Sequence, residues 1–173
     1  MSCATLFLIA FLLLFGCSAG GAIFSEGFPF LSQNNPAASL GIKEDTSTGL
    51  KGTDANYNGI RDDIDQLIEK KYSVTQAIKK AAEQDAKATQ KMMEATTKTE
   101  AFEATELMDR AIDCEYSLPD FESSKDREKL QLEMSREIEA LTANTRERFK
   151  KYLQSNKLVG GGYFTQGKGP FCD

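Results

Sequence analysis

A helical period runs through most of the chain from residue 62 onward, and it constrains the fold more than any other feature. Between Lys125 and about Asn156, apolar residues recur every three or four positions while charged residues fill the opposite face. This spacing predicts one long amphipathic helix that buries its apolar side against other helices. The stripe consists of Leu130, Met134, Ile138, Leu141, Thr145, Phe149 and Tyr152 or Leu153.

Sequence signals for helix starts divide the segment before it into three further helices. The first is predicted over about 62–71. A capping box of the S-x-x-Q type, with Ser73 as N-cap and Gln76 at N3, then begins a second helix. The sequence TTKTE at 96–100 contains a T-x-x-E signal and predicts a break, after which a third helix runs until Pro119 stops it.

These segments predict an all-α fold class, a small antiparallel helical bundle of three to four helices over residues 62–158. A chain of 173 residues with 40% hydrophobic and 27% charged residues has the size and composition of one such domain. The net charge of −5 argues against nucleic acid as a partner. The absence of histidine excludes Ser-His-Asp and Cys-His catalysis and histidine-ligated zinc.

Residues 1–16 have the pattern of a signal peptide. Residues 4–15 are apolar except for Thr5, and this run is too short for a spanning helix, which needs about 20 residues. The run ends in LLFGCS, with an aliphatic residue three positions before Cys17 and a small residue directly before it.

This pattern resembles the lipobox of bacterial lipoproteins. The resemblance implies that Cys17 is acylated with palmitate-type chains, becomes the mature N-terminus and anchors the protein in the cell envelope. In a Gram-negative host, Ser18 at the next position implies the outer membrane, facing the periplasm. Ordinary secretory cleavage after Ala19 is the alternative and would give a secreted protein. An uncleaved anchor is disfavoured by the length of the apolar run.

Two segments without a helical period flank the predicted bundle. Residues 17–52 are rich in Gly, Ser, Asn, Pro and Thr, which predicts a lipidated N-terminus followed by a flexible tether. The apolar stretch 23–31 within it is interpreted as a local clamp onto the domain or an insertion beside the anchor, with a recognition motif as the alternative. Residues 159–173 form a Gly-rich tail.

Oxygen-bearing side chains cluster at 53–65, where the tether meets the helices. Counted from Asp54, the sequence matches the calcium-loop pattern D-x-[DN]-x-[DN]-G-x₅-E at every fixed position except the last, where Asp65 replaces Glu. Gly59 permits the sharp turn that such a loop needs. Ca²⁺ takes six to eight oxygen ligands. The expected ligands are Asp54, Asn56, Asn58, the Ile60 carbonyl, Asp62 through water, and Asp65.

Aspartate at the last position and the lack of an entering helix make this stretch resemble the EF-hand-like calcium loops of dockerin modules and thrombospondin type 3 repeats. The resemblance implies Ca²⁺ as cofactor, bound weakly at about 10⁻⁴–10⁻³ M because few carboxylates share the ion. Dockerin loops come in pairs and no second copy occurs here, so no cohesin partner is implied. A simple turn with a capped helix is the alternative, because Asn-Gly favours turns and carboxylates favour a helix's first turn.

Two cysteines lie beyond the N-terminal segment, Cys114 and Cys172. In an oxidising compartment such a pair predicts a structural disulfide. Closing a loop of about 59 residues is worth roughly 4 kcal/mol in the chain-entropy model. A redox or metal role is disfavoured because the chain has no C-x-x-C motif and no histidine.

The sequence therefore favours a non-enzymatic, membrane-anchored envelope lipoprotein with a calcium-stabilised helical domain. Its partner would be an envelope protein or a cell-wall component. The alternative is a secreted or anchored hydrolase that uses paired carboxylates, as glycosidases do. A pocket holding two facing carboxyl groups with raised pKa would favour the hydrolase, and a smooth bundle would favour the binding module.

Overall fold

The computed structural model describes residues 36–118, 124–161 and 169–173. These ranges contain helices and no strands, so the predicted all-α helical bundle is confirmed. The six helices are α1 (Pro36–Ser39), α2 (Asp62–Lys71), α3 (Gln76–Glu94), α4 (Lys98–Ser117), α5 (Ser124–Thr142) and α6 (Arg146–Leu158). Five of them have ten or more residues, rather than the three to four expected. None of these helices is both long and apolar enough to cross a membrane. Cys17 and the stretch 23–31 lie outside the described residues.

Helix α3 lies at the centre of the bundle and contacts α2, α4, α5 and α6. Its buried face is rich in alanine, which lets the neighbouring helices approach closely. The larger core cluster joins α2 to α5 through Ile64, Leu67, Ile68, Met134, Ile138 and Leu141. A smaller cluster around Met92, Met93 and Tyr152 fills the other end of the bundle.

Two of the predicted helix starts agree with the structure and one does not. Helix α2 covers Asp62–Lys71, as predicted. The break before α4 is also confirmed, because Thr97 and Glu100 form a reciprocal capping box there. The prediction of Ser73 as N-cap is wrong, because Thr75 caps α3 and its side chain accepts from the Ile78 amide. The Ser73 hydroxyl instead donates to a carbonyl of α2.

The long fourth helix predicted from Lys125 to Asn156 is two helices. Helix α5 ends at Thr142, and Thr145 begins α6 as an N-cap whose side chain accepts from the Arg148 amide at 3.2 Å. Between them, the Asn144 side chain donates to Glu44 and to the Asp45 carbonyl, 3.1 Å each. The polar connection is stabilised by these contacts to a distant segment, which an apolar stripe cannot reveal.

The flexible tether predicted over 17–52 is too long at its C-terminal end, because residues 36–52 pack on the bundle. Ala37 is fully buried and Ile42 is 6% exposed, both within the larger core cluster. The Lys70 ammonium donates to the Leu40 carbonyl at 2.8 Å. The low apolar content of this segment concealed its attachment, which is largely made by polar groups.

The C-terminal residues 169–173 are attached to α3 and α4. The sulfur atoms of Cys114 and Cys172 lie 2.10 Å apart, so the predicted disulfide pairing agrees with the structure. Gln84 of α3 donates to the Phe171 carbonyl at 2.9 Å and accepts from the Asp173 amide at 3.1 Å. Arg110 of α4 also pairs with the Asp173 side chain at 2.7 Å, so the end of the Gly-rich tail is held by a disulfide, two hydrogen bonds and an ion pair.

Candidate functional site

The loop at 54–65 has a strongly turned backbone. Gly59 adopts φ +84°, as the loop pattern requires. Tyr57 also has a positive φ, +59°, which is uncommon for a residue with a side chain. Its ring is 91% exposed, so packing of the ring does not stabilise this conformation. The turn is instead held by hydrogen bonds within the loop.

Asp54 and Asn58 supply most of those hydrogen bonds. The Asp54 carboxylate accepts from the Asn58 amide at 3.2 Å and from the Gly59 amide at 2.9 Å. The Asn58 side-chain oxygen accepts from the Ile60 amide at 2.7 Å. These bonds curl the chain so that the side chains of the first half of the loop face its last residue.

Asp65 is the residue on which the loop converges. The Asn56 amide nitrogen lies 3.1 Å from its Oδ2, and the Asn58 amide nitrogen lies 3.1 and 2.9 Å from its two oxygens. Burial raises the pKa of Asp65, and the nearby Asp54 charge raises it further, while the two asparagine hydrogen bonds lower it. A positive charge beside this carboxylate would offset both the burial and the Asp54 repulsion.

The six predicted ligands are only partly brought together. Asn56, Asn58 and Asp65 are in direct contact, with Asp54 close enough to affect the Asp65 charge. Asp62 instead accepts from the Ala55 amide at 2.9 Å. The Ile60 side chain is buried in the core, 2% exposed, as expected for that position.

The loop could hold calcium only if neutral oxygens join the carboxylates as ligands. In the described ranges, no three Asp, Glu or Cys side chains converge so as to hold a metal by themselves. An ion would therefore depend on asparagine oxygens and a backbone carbonyl as well as carboxylates. The Asn56 and Asn58 nitrogens face Asp65, and a half-turn of each terminal amide would present the oxygens instead. That turn gives up the bond that each oxygen accepts, from the Asn58 amide for Asn56 and from the Ile60 amide for Asn58.

A surface cleft of about 310 Å³ opens beside the loop. It is lined by Asn56, Asn58, Asp65, Gln66, Ile68, Glu69, Lys79 and Glu83. Lys79 of α3 crosses it to pair with Glu69 of α2 at 2.5 Å. The cleft therefore lies between the loop and the first turns of α3. Only the tertiary packing brings these two segments together.

Two buried arginines connect the loop to the rest of the domain. Arg61, which lies within the loop, binds the Asp63 carboxylate through Nε and Nη2 at 2.6 and 2.9 Å. Its Nη2 also donates to the Leu141 carbonyl at 2.6 Å. Arg148 of α6 is fully buried and donates to the Gly49 carbonyl at 3.1 Å and to Asp45. We call Arg61, Asp63, Arg148 and Asp45 the arginine cluster.

The arginine cluster holds residues 45–53 against the bundle. Asp45 accepts from the Thr53 amide and donates its own amide to Asp63 at 2.8 Å. Burial raises the pKa of Asp45, but hydrogen bonds from Ser47 and Thr53 outweigh it and hold that pKa well below its usual range. Arg61 and Arg148 are far apart in sequence, and no local sequence pattern indicates that both contribute to this cluster.

Two carboxyl groups lie close together inside the bundle rather than at its surface. Asp85 is 4% exposed and Glu115 is 1% exposed. Burial raises the pKa of Asp85 to about 6, and burial together with the Asp85 charge raises that of Glu115 to about 9. Both values suit general acids, but a substrate cannot reach groups this deeply buried. The pair therefore does not form the carboxylate pocket that the hydrolase alternative requires.

Comparison of the chain with known proteins adds no relative. No protein-family model matches it, and neither do the curated proteins or the solved structures.

Proposed function

We propose that the protein is a non-enzymatic module of the cell envelope whose helical domain is stabilised by calcium at the 54–65 loop. The observation that supports it is the convergence of the Asn56 and Asn58 amides on the Asp65 carboxylate, across a turn closed by Asp54. The oxygens of Asp54, Asn56 and Asn58 close the turn by accepting backbone amides, and their alternating positions are also the ones that a calcium loop needs. Calcium would supply a compact charge that joins them.

The proposed ligands have distinct tasks. Asp54 and Asp65 would supply the carboxylate charge, Asn56 and Asn58 neutral oxygens, and Ile60 a carbonyl, with Asp62 acting through water. Only three carboxylates would serve the ion, which places the affinity in the weak range of extracellular modules, about 10⁻⁴–10⁻³ M. Such a site is filled where calcium is abundant and empty where it is scarce.

The structural effect of the ion would extend beyond the loop. Arg61 lies between loop residues Ile60 and Asp62 and reaches the arginine cluster, and the Asp62 amide donates to the Thr53 carbonyl at 2.8 Å. Fixing the loop would therefore also fix residues 45–53. This segment leads back towards the proposed anchor, so calcium would stiffen the junction between the domain and its attachment.

The anchor is the second half of the proposal, and its basis is the lipobox pattern ending at Cys17. Cys17→Ser removes the acylated sulfur, so membrane fractionation should find the wild type in the membrane pellet and the variant released. A mature chain that begins at Gly20, or a variant that stays membrane-bound, would contradict lipidation. The envelope partner would then be sought by pull-down from solubilised membranes.

Titration calorimetry tests calcium binding directly. Wild type should bind one ion at submillimolar to millimolar concentration, and Asp65→Ala should abolish the heat. Asp126→Ala is the matched control, since Asp126 also occupies the first turn of a helix but lies far from the loop in sequence. Asn58→Asp should tighten binding by adding a carboxylate. Equal titrations for wild type and Asp65→Ala would reject the site.

A further inference from the structure

The strongest unexplained feature is the carboxyl pair in the core, where α3 packs on α4 and α5. Oδ2 of Asp85 and both carboxyl oxygens of Glu115 are buried and have no hydrogen-bond partner in the described part of the chain. The Thr89 hydroxyl donates to the other oxygen of Asp85 at 3.3 Å, and Ser135 of α5 also interacts with this carboxyl group. Ionised carboxylates buried without donors cost several kcal/mol each, so such groups keep a proton instead.

The groups around the pair offer no compensating charge. Glu139 of α5 repels Asp85, while the uncharged Ser135 and Gln131 of α5 are polar neighbours of Asp85 and Glu115 that lower their pKa less than burial raises it. From the remaining elements, Tyr72 of α2 and Tyr152 of α6 face the pair. Burial raises the pKa of Tyr152 to about 12 and raises that of Tyr72 as well, so both phenols are neutral near pH 7. No described lysine or arginine acts on either carboxyl group.

The C-terminal segment, residues 169–173, is attached to α3 and α4 by residues directly next to these two acids. Gln84, next to Asp85, binds the backbone of Phe171 and Asp173. Cys114, next to Glu115, is bonded to Cys172. Separation of α3 from α4 at this level would therefore break the Gln84 contacts, while the disulfide would keep the segment tethered to α4.

We propose that Asp85 and Glu115 form a proton-dependent switch: while they hold protons the bundle is closed, and their ionisation as pH rises loosens α3 from α4 and frees the C-terminal segment from Gln84. The switch is independent of the calcium loop, because it lies in the core and uses none of the loop's residues. It couples the protonation of two buried acids to the exposure of the end of the chain.

The sign of the pH dependence follows from linkage. Both pKa values are higher in the folded chain than the ordinary 3.8 and 4.5, so the folded state binds more protons than the unfolded state. Stability is therefore fully present at acid pH. It falls as pH rises from about 4 to about 6 through Asp85, and from about 4.5 to about 9 through Glu115. Carboxylates that are hydrogen-bonded or salt-bridged in the folded chain, with lowered pKa values, give the opposite trend.

Urea unfolding of the full mature chain at several pH values tests the switch. The chain has no histidine, so few other groups titrate between about pH 6.5 and 8.5. The unfolding constant of the wild type should rise in this window by up to about tenfold per pH unit. Glu115→Gln, which mimics the protonated form, should flatten the slope and stabilise the domain at the alkaline end. Glu103→Gln, an exposed change on the same helix, should leave the slope unchanged.

A second measurement keeps the proposal testable if Glu115→Gln does not fold. An NMR titration of the side-chain carboxyl carbons in the wild type should show Glu115 still protonated at neutral pH. Hydrogen exchange at the Asp173 amide should accelerate as pH rises, beyond the intrinsic base-catalysed increase. A Glu115 carboxyl that titrates near 4.5, or a stability that is flat or rises between about pH 6.5 and 8.5, would overturn the switch.

Discussion

The Arg61 guanidinium binds the Asp63 carboxylate two residues further on through two parallel contacts, Nε–Oδ1 at 2.6 Å and Nη2–Oδ2 at 2.9 Å. Both side chains are buried, 0% and 2% exposed. Arg61 lies within the candidate calcium loop and Asp63 in the first turn of α2, and the Asp63 carboxylate also accepts from the Asp45 amide. This charge pair therefore connects three parts of the chain.

Arg61→Ala should destabilise the domain by about 3–5 kcal/mol, because it leaves the Asp63 carboxylate buried without its partner. The control is Lys79→Ala, which breaks the exposed pair with Glu69, whose side chains are 31% and 64% exposed. That change should cost at most about 1 kcal/mol. Urea unfolding measures both, and similar losses for the two variants would show that the arginine cluster has no special role.

Gly52 tests how closely residues 45–53 are packed on the cluster. A Cβ at this position would lie 2.3 Å from Arg61 Cδ and 2.9 Å from an Asp45 oxygen. Gly49 of the same segment also has a positive φ, but a Cβ there would meet nothing within 4 Å. Both alanine substitutions carry a backbone cost of about 1–2 kcal/mol. Gly52→Ala should cost about 1–3 kcal/mol more from overpacking, and equal thermal shifts would argue against the contact.

Removal of the disulfide should destabilise the domain strongly without abolishing the fold. Cys172→Ser frees a loop with a sequence separation of 58 residues, which is worth about 4 kcal/mol in the chain-entropy model. Ser117→Ala, whose hydroxyl lies 3.7 Å from the Cys172 sulfur, is a local control that keeps the bond. Under reducing conditions, the denaturant midpoint of the wild type should fall to that of Cys172→Ser. The midpoint of Cys172→Ser should be the same with and without reductant. A reductant-insensitive wild type would contradict the predicted role.

Local sequence signals predicted local structure well and tertiary polar contacts poorly. The limits of α2 and the Thr97–Glu100 capping box could be predicted because their partners lie within four residues. The split of the last helix and the docking of residues 45–52 could not, since Asn144 and Arg148 bind partners about a hundred residues away. A period of apolar residues gives no information about which distant groups a buried guanidinium will bind.

The sequence contains a signal for the buried acids, but it is missed when only the apolar residues of the helical pattern are considered. Asp85 occupies a position on the buried stripe of α3 between Ala81 and Ala88, and Glu115 lies one turn after Ala111 on α4. Carboxyl groups at stripe positions mark either an error in the helix phase or a functional group in the core. The six candidate calcium ligands could be proposed from the sequence because their spacing is local.

Thermal unfolding of wild type and Asp65→Ala, each in millimolar calcium and in chelator, tests the calcium proposal most directly. At tenfold above Kd, calcium should stabilise the wild type by about 1.4 kcal/mol. For a domain of this size that corresponds to a midpoint shift of about 3–8 °C. Asp65→Ala should show no calcium-dependent shift, whereas Asp126→Ala should keep the full shift. A wild-type midpoint that is the same in calcium and in chelator would contradict the proposal.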